Sequence, residues 1–323
     1  MSSTTSAPAA AIGANTVNGP ASVLVQAGGA VGLFGSLTTG IQATLNRVSP
    51  LSTGTVALTA NTSENINFDG GSAGAGLPSA YLGAYGNVSY TGTLTPFCNQ
   101  YRLGGGGGVL TIAGGGLTGP RVVQIGGGGP GASFVNNPNL NGAVVLGGVS
   151  DYSGGTVLTA GGIVSATSLT ALGTGPLKFQ GGFYRAVDAT DISLASDGVS
   201  TRDIRIGADT ANAAGAANID VVAGVNLSLS KPFGTLPTYG ANQGQDTLTK
   251  YGAGTLTLSG LNLTFSWRAV PTAMPAARPS AVPTPAASSP SVRAARPATC
   301  RRATSSLTRR LAAGGSISSG RMT

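Results

Sequence analysis

The chain of 323 residues contains no histidine at all. This absence removes the commonest general base, the Ser-His-Asp triad, the Cys-His pair and nearly every zinc site. The sequence also has neither a Gly-x-Ser-x-Gly nucleophile elbow nor a Walker A loop. Enzymatic chemistry is thereby confined to carboxylates. We expect a protein that is not an enzyme, with no catalytic, cofactor-binding or metal-binding residues to assign.

Cysteines and long apolar runs are scarce as well. There are two cysteines, Cys98 and Cys300, which excludes a framework of several disulfides. No stretch reaches the roughly 18 continuous apolar residues of a membrane helix, so no membrane-spanning segment is expected in this chain. Its first residues have neither a basic region nor an apolar core, so we expect no export signal within this chain.

Charged residues make up only 9% of the chain, against roughly 25% in an average soluble domain. Residues 1–262 hold nine basic and ten acidic side chains, whereas residues 263–323 hold nine arginines and no acid. The net charge of +8 is therefore a property of the C-terminal tail. Such a tail attracts polyanions without reading sequence, so no specific nucleic-acid partner is expected.

Glycine is abundant, with 53 residues, and it disfavours helices by about 1 kcal/mol per position. Short segments instead share one strand pattern, in which a Gly/Thr pair leads into four or five residues with alternating apolar positions. These segments are 52–61, 107–115, 154–162 and 252–260. Each is too short to be stable alone, and no helical crossover joins them.

A stack of coils resolves this, because the inward residues of successive coils form one core. The sequence therefore predicts an all-β fold, a parallel β-helix with coils of roughly 20 to 30 residues. The glycine clusters at 104–108, 114–116 and 126–129 are predicted corners with positive φ. An antiparallel β-sandwich is the alternative, since short strands between turns suit it equally well.

Three stretches resemble a known family. LTKYGAGTLTLSGLN (248–262) is similar to the first half of the autotransporter-associated β-strand repeat, and DYSGGTVLTAGGIVSATSLTALGTGPLKFQGG (151–182) to its second half. NIDVVAGVNLSLS (218–230) resembles a coil found between such repeats. The resemblance implies a right-handed parallel β-helix, exported as the passenger of a larger bacterial protein and located at the cell surface, associated with the outer membrane, or secreted.

The pattern predicts three regions: a disordered segment at 1–15, the β-solenoid at 16–262, and a disordered Pro/Arg-rich tail at 263–323. Seven prolines between Pro271 and Pro297 rule out helix and ladder there. One hypothesis is a frameshift, because codons for Trp-Arg-Ala-Val-Pro at 267–271, read one nucleotide earlier, can spell Leu-Ala-Gly-Gly-Thr. This would restore the repeat.

One glycine motif imitates a dinucleotide site. Gly126, Gly128 and Gly131 form a G-x-G-x-x-G, followed by Asp151. The site would need a helix to start in the loop, and the sequence after Pro130 is unsuited to one. We therefore expect no cofactor here.

Two further groups are candidates for a polysaccharide site. Carboxylates on neighbouring coils can act as acid and base or hold calcium, and tyrosines can stack on sugars. One group is a run of five aspartates with three arginines among them, and the other is a group of aromatic residues. The sequence around Asp69 is not a third candidate, because it lacks the G-G-x-G-x-D order of a calcium-binding repeat. The residues are Asp188, Asp191, Asp197, Asp203 and Asp209 with Arg185, Arg202 and Arg205, and the aromatic group Tyr81, Tyr85, Tyr90, Phe97 and Tyr101.

Turn chemistry at residues 197–198 and a strand edge at 203–205 favour solvated charges over catalysis. The leading interpretation is a non-catalytic structural or adhesive cell-surface element, whose partners would be a surface polysaccharide or a host or neighbouring cell. The alternative is a β-helix that binds or cleaves polysaccharide through surface carboxylates.

Overall fold

The computed structural model describes residues 10–12, 23–33, 40–71, 74–126, 142–207, 215–232, 247–260 and 266–269. The chain divides into two units, Met1–Thr284 and Pro285–Thr323, and all of the described residues belong to the first. Strands dominate this part. One helix of six residues, α1 (Gly40–Leu45), and a 3-10 turn at Leu169–Leu172 are the helical elements among these residues, as the glycine-rich composition predicts.

The strands are short, most of them four residues long. In chain order they are β1 (Ala10–Ile12), β2 (Ala30–Leu33), β3 (Thr55–Leu58), β4 (Ile66–Asn67), β5 (Tyr81–Ala84), β6 (Asn87–Tyr90), β7 (Leu94–Thr95), β8 (Gln100–Leu103), β9 (Val109–Ile112), β10 (Val122–Ile125), β11 (Ala143–Leu146), β12 (Thr156–Thr159), β13 (Ile163–Ala166), β14 (Leu177–Gln180), β15 (Phe183–Ala186), β16 (Ile204–Ile206), β17 (Ala216–Val221), β18 (Asn226–Pro232), β19 (Thr247–Tyr251), β20 (Thr255–Gly260) and β21 (Ser266–Ala269). Each of the four segments with the shared pattern contains one of them.

Two long sheets contain most of these strands. The first has nine strands in the order β1-β2-β3-β5-β8-β10-β12-β14-β16, and the second has eight in the order β21-β19-β17-β15-β13-β11-β9-β6. From β8 to β17 the chain alternates between the two sheets, and every ladder between these strands is parallel. This is the arrangement expected of a β-solenoid. It is incompatible with the antiparallel sandwich.

The advance along the chain from one coil to the next varies more than the sequence suggests. Thr156 pairs with Leu177, 21 residues later, whereas Phe183 pairs with Asn218, 35 residues later. The extra residues lie between strands, so strand register is kept while corner length changes.

The core follows from period-2 alternation. In β8, Tyr101 and Leu103 are buried while Gln100 and Arg102 are half-buried. The same alternation recurs in β10, β12, β14 and β16, and their buried apolar members belong to one apolar cluster along the stack. Burying an aromatic or aliphatic side chain stabilises the fold by about 1.5–3 kcal/mol. A single four-residue strand does not gain this stabilisation, because it has no neighbouring coil against which to bury its side chains.

Glycines 104–107 form a corner in which all four residues have positive φ, as predicted. The corner folds back over the outer face of the neighbouring coil, where Gly104 O accepts a hydrogen bond from Thr55 Oγ1 at 3.3 Å. Gly83 lies between them, and a Cβ there would come within 2.6 Å of Thr55 Cγ2 and 2.7 Å of Gly104 O. The prediction of positive φ is wrong for Gly108, Gly114, Gly115 and Gly126. Gly116 has positive φ, and 127–129 lie outside the described residues.

Replacing Gly83 with alanine should lower the free energy of unfolding by about 1–3 kcal/mol, because the clash is with backbone and a packed methyl group. The control is Gly115→Ala, since a Cβ there meets nothing within 4 Å. Urea unfolding of both variants checks this. Equal stability of the two would show that the corner does not press on Gly83.

Two strands lie in regions predicted to be disordered. β1 falls within 1–15 and pairs with β2, and β21 falls within 263–323 and pairs with β19. Parallel pairing with β2 or β19 supplies hydrogen-bond partners for the backbone of these segments, which they lack in isolation. The other residues of both regions lie outside the described part, as does the end of the chain where the prolines cluster.

Candidate functional site

The acidic run does not form a shared cluster. Asp197 is exposed and caps its own turn, accepting hydrogen bonds from Ser200 Oγ at 2.5 Å and from the backbone N–H groups of Val199 and Ser200. These bonds, with the Ser200 hydroxyl first, lower the pKa of Asp197 to about 2. The carboxylate is therefore ionised and already occupied at neutral pH, which is unsuited to proton transfer.

Asp191 holds the next coil in place. Its Oδ1 accepts from the Ser193 amide and hydroxyl, and its Oδ2 accepts from the Ser230 amide at 2.8 Å, while Ser193 Oγ accepts from the Lys231 amide at 2.9 Å. Two side chains thus satisfy backbone donors of β18. Asp191 has a structural task, which leaves it unsuited to catalysis.

The remaining acids are also locally engaged. Asp188 Oδ1 accepts from the Thr190 amide at 2.9 Å, and Asp203 forms an ion pair with Arg205 at 2.5 Å. Asp69 accepts from the neighbouring Gly70 amide. Asp209 lies outside the described residues. Within the described ranges, no three acidic or cysteine side chains are placed to hold a metal ion.

Arg202 is the most deeply buried cation of the described chain, with 3% of its surface exposed. Its guanidinium donates to five backbone carbonyls, at 2.9–3.3 Å, and four of them belong to the corner around the 3-10 turn at Leu169–Leu172. The five acceptors are Leu169, Leu172, Gly173, Gly175 and Leu194. Burial lowers the pKa of Arg202, and the nearby Tyr152 and Tyr184 partly offset this.

An ion pair with a buried carboxylate lies on the outer face of the eight-stranded sheet. Asp220 alternates with Ile219 and Val221, which are in the core, so it faces outward, yet only 1% of it is exposed. Its Oδ2 is 3.2 Å from Arg185 Nη1. Burial raises the pKa of Asp220, and the nearby Arg185 and Lys250 partly offset this. This pair could not be predicted from the sequence, because outward positions in an alternating strand are normally solvated.

The aromatic group does not form a sugar-stacking face. Tyr90 and Tyr101 are 0% and 2% exposed and belong to the core, while Tyr85 is exposed and Tyr81 is half-buried on the outer face. Alternation along β6 and β8 turns the two buried rings inward. These four tyrosines, named as a candidate sugar-stacking group, therefore do not share one face.

Near this group lies a small apolar cavity, between Phe68, Leu77 and Phe97 among others. It has room for about one water molecule, which is too little for a sugar.

The glycine motif gives a similar outcome. β10 precedes Gly126 as predicted, and Asp151 accepts a hydrogen bond from the Gly119 amide at 3.2 Å. Residues 127–141, which include Gly128 and Gly131, lie outside the described part. The described members, Gly126 and Asp151, therefore contribute to the packing of the coils.

One ordered polar surface does emerge, on the outer face of the nine-stranded sheet. Strand register places residues from consecutive coils side by side: Arg102 pairs with Gln124, Gln124 with Val157, Val157 with Lys178, and Lys178 with Arg205. Tyr81 joins them because Leu82 pairs with Leu103. We call this set the outer row: Tyr81, Arg102, Gln124, Val157, Lys178 and Arg205.

Hydrogen bonds order one end of the outer row. Gln100 Nε2 donates to Gln124 Oε1 at 2.5 Å, and Gln124 Nε2 donates to Tyr81 Oη at 3.0 Å. The row is therefore a preformed line of amide, hydroxyl and cationic groups.

No family model matches the chain, and no curated protein or solved structure matches it either. Function is therefore inferred from the residues of this chain alone. Among the described residues, no helix has the length and apolar character needed to cross a bilayer.

Proposed function

We propose that this chain is a non-catalytic structural or adhesive element of a bacterial cell surface, built as a right-handed parallel β-helix of the autotransporter-passenger type. The observation that carries the proposal is the use of the carboxylates: those of the described acidic run are bound to their own turns, to the next coil or to an adjacent arginine. Apart from these carboxylates, the described residues form a stack of paired coils. The proposed function therefore depends on the length of this stack and not on a reactive site.

Right-handedness is supported by a general rule. Parallel strands of one sheet are joined by right-handed crossovers in about 98% of cases, because of strand twist. Each coil between β8 and β16 is such a crossover, since the chain leaves the nine-stranded sheet, enters the eight-stranded sheet and returns one strand further along.

Surface location is tested on intact cells of the source organism. Protease added outside should degrade the protein while cytoplasmic markers stay intact. Protection from protease in intact cells, together with degradation after lysis, would place the protein inside and contradict the proposal.

Purified protein should not depolymerise acidic or neutral polysaccharides, with or without calcium, because the described carboxylates of the acidic run are engaged by their own turns, by the next coil or by Arg205. Reducing-end assays measure this. Turnover that disappears in Asp197→Asn or Asp203→Asn, but persists in the exposed control Asp69→Asn, would favour a polysaccharide-cleaving enzyme instead.

A further inference from the structure

One strand edge of the stack is open. β20 pairs with β18 on one side, and among the described residues no strand pairs with its other side. We propose that this free edge binds β20 of a second copy of the chain, in antiparallel register about a two-fold axis. The inference goes beyond the proposed function, because it concerns self-association and is tested on purified protein wherever the protein is located.

Two leucines of β20 lack the cover that their neighbours have. Leu227 and Leu229 of β18 are 0% exposed. Their ladder partners, Leu256 and Leu258, pack on the core but remain half-buried. The two strands share one alternation, so the difference comes from position, since β20 covers β18 and no described strand covers β20. A further strand with leucines in this register would bury both side chains.

The backbone of β20 also presents hydrogen-bonding groups at this edge. Thr255 N–H donates to Val225 O at 2.9 Å, on the β18 side. Because successive residues of a strand direct their N–H and C=O groups to opposite sides, those of Leu256 and Leu258 point away from β18. An exposed edge of this kind is a template for another strand.

Other edges of the stack carry protection that β20 lacks. At β4 the side chain of Gln42 occupies the edge, where Oε1 accepts from Asn67 N–H at 2.7 Å and Nε2 donates to Asn67 O at 3.0 Å. β16 and β21, which end the two long sheets, carry Arg205 and Arg268. The sequence of β20, TLTLSG, has neither a charge nor a proline. The common devices against edge pairing are therefore missing from it.

The sequence of β20 is complementary to itself. A two-fold axis through Thr257 places Leu256 opposite Leu258 of the second copy and Thr255 opposite Ser259, so leucines meet on one face and hydroxyls on the other. Each copy then donates two hydrogen bonds and accepts two, through the backbone groups that point away from β18. No like charges face each other, which favours pairing.

The chain's own continuation is less suited to this edge. β21 belongs to the eight-stranded sheet, and seven prolines between Pro271 and Pro297 cannot donate to a ladder. A second copy brings the matching strand and closes the pair by symmetry. The contact involves one short strand, so we expect a transient dimer whose population rises with concentration.

Sedimentation equilibrium of the full-length chain tests the inference. The wild type should pass from the mass of one chain to that of two as its concentration rises. Thr257→Asp places two carboxylates opposite each other and should raise the dissociation constant of the dimer about tenfold or more. The matched control is Ser228→Asp, because Ser228 is exposed and pairs with Thr257 one strand further from the axis. It should change this constant by about twofold or less.

Thr257→Cys tests the geometry. Thr257 would face its counterpart as a non-hydrogen-bonded pair with Cα atoms about 4.5 Å apart, which is within the range of a disulfide. Mild oxidation should give a disulfide-linked dimer well above the wild-type level, whereas Ser228→Cys should not. As a gain of binding, Thr257→Val should tighten the dimer, because paired β-branched side chains stabilise neighbouring strands.

Circular dichroism and melting temperature check the fold of each variant. A monomer at every concentration, equal weakening by Thr257→Asp and Ser228→Asp, or a dimer that Thr257→Cys does not cross-link would each overturn the inference. A chain that dimerises only after residues 270–323 are deleted would also overturn it, because its own tail would then be the occupant of the edge.

Discussion

Replacing Arg202 with methionine should lower the free energy of unfolding by about 3–5 kcal/mol. Methionine fills a similar volume but leaves five carbonyl oxygens without their donor. Each buried carbonyl oxygen without a hydrogen bond costs about 1–3 kcal/mol unless water reaches it. Urea unfolding followed by circular dichroism measures the loss. Hydrogen exchange should increase first at the corner formed by the 3-10 turn.

Two matched variants separate geometry from charge. Arg202→Lys keeps the charge, but one ammonium has three donors and cannot reach five carbonyls, so it should lose most of the same stability. Arg205→Met removes a surface arginine three positions away and should cost about 1 kcal/mol or less. If Arg202→Lys were as stable as the wild type, charge alone would be sufficient and the donor geometry would be irrelevant.

Raising the pH above 10 should unfold the protein cooperatively, because three tyrosines are buried in their neutral form. Burial raises the pKa of Tyr90, Tyr152 and Tyr184 above its ordinary value of 10, for Tyr152 to about 12. A raised pKa in the fold gives stability that is complete below the unfolded pKa of about 10 and is lost as pH rises through the folded value. For Tyr152 alone this loss is about 2–3 kcal/mol.

Tyrosinate absorbance and circular dichroism should therefore change together between about pH 10 and 12. The control is Tyr152→Phe, which loses the 2.6 Å hydrogen bond to Thr156 and is slightly less stable at pH 7, but has one buried ionisable group fewer. Its stability should fall less steeply in this window. Complete tyrosine ionisation with the β-structure retained would mean that the rings are accessible in the native state.

Strand positions could be predicted from sequence because each strand carries its own signal. Leu256 and Leu258 pack against the core while Thr255 and Thr257 are exposed, as the alternation in 252–260 indicates. Parallel stacking followed from the shortness of the strands and the lack of helical crossovers. These are local properties, and local properties can be read from a single chain.

The roles of the charged residues could not be predicted in this way. Arg202 and Asp203 are adjacent in sequence, yet Arg202 is buried among carbonyls up to 33 residues away and Asp203 is on the surface. Similarly, the outer row exists only through register between coils. Both depend on which coils are neighbours in the stack. Because the corners differ in length, these neighbours cannot be derived from a constant repeat length.

Register that persists across corners of unequal length has a consequence for how such a chain can change over generations. Ladder partners at Thr156 and Leu177 are one complete coil apart, so duplication or loss of that stretch returns every inward side chain to an inward position. A shift of one residue inside a strand would instead turn its apolar side chains to solvent. Whole coils are thus the natural increments of length, and a gene of this kind can be shortened or extended without inventing a new core.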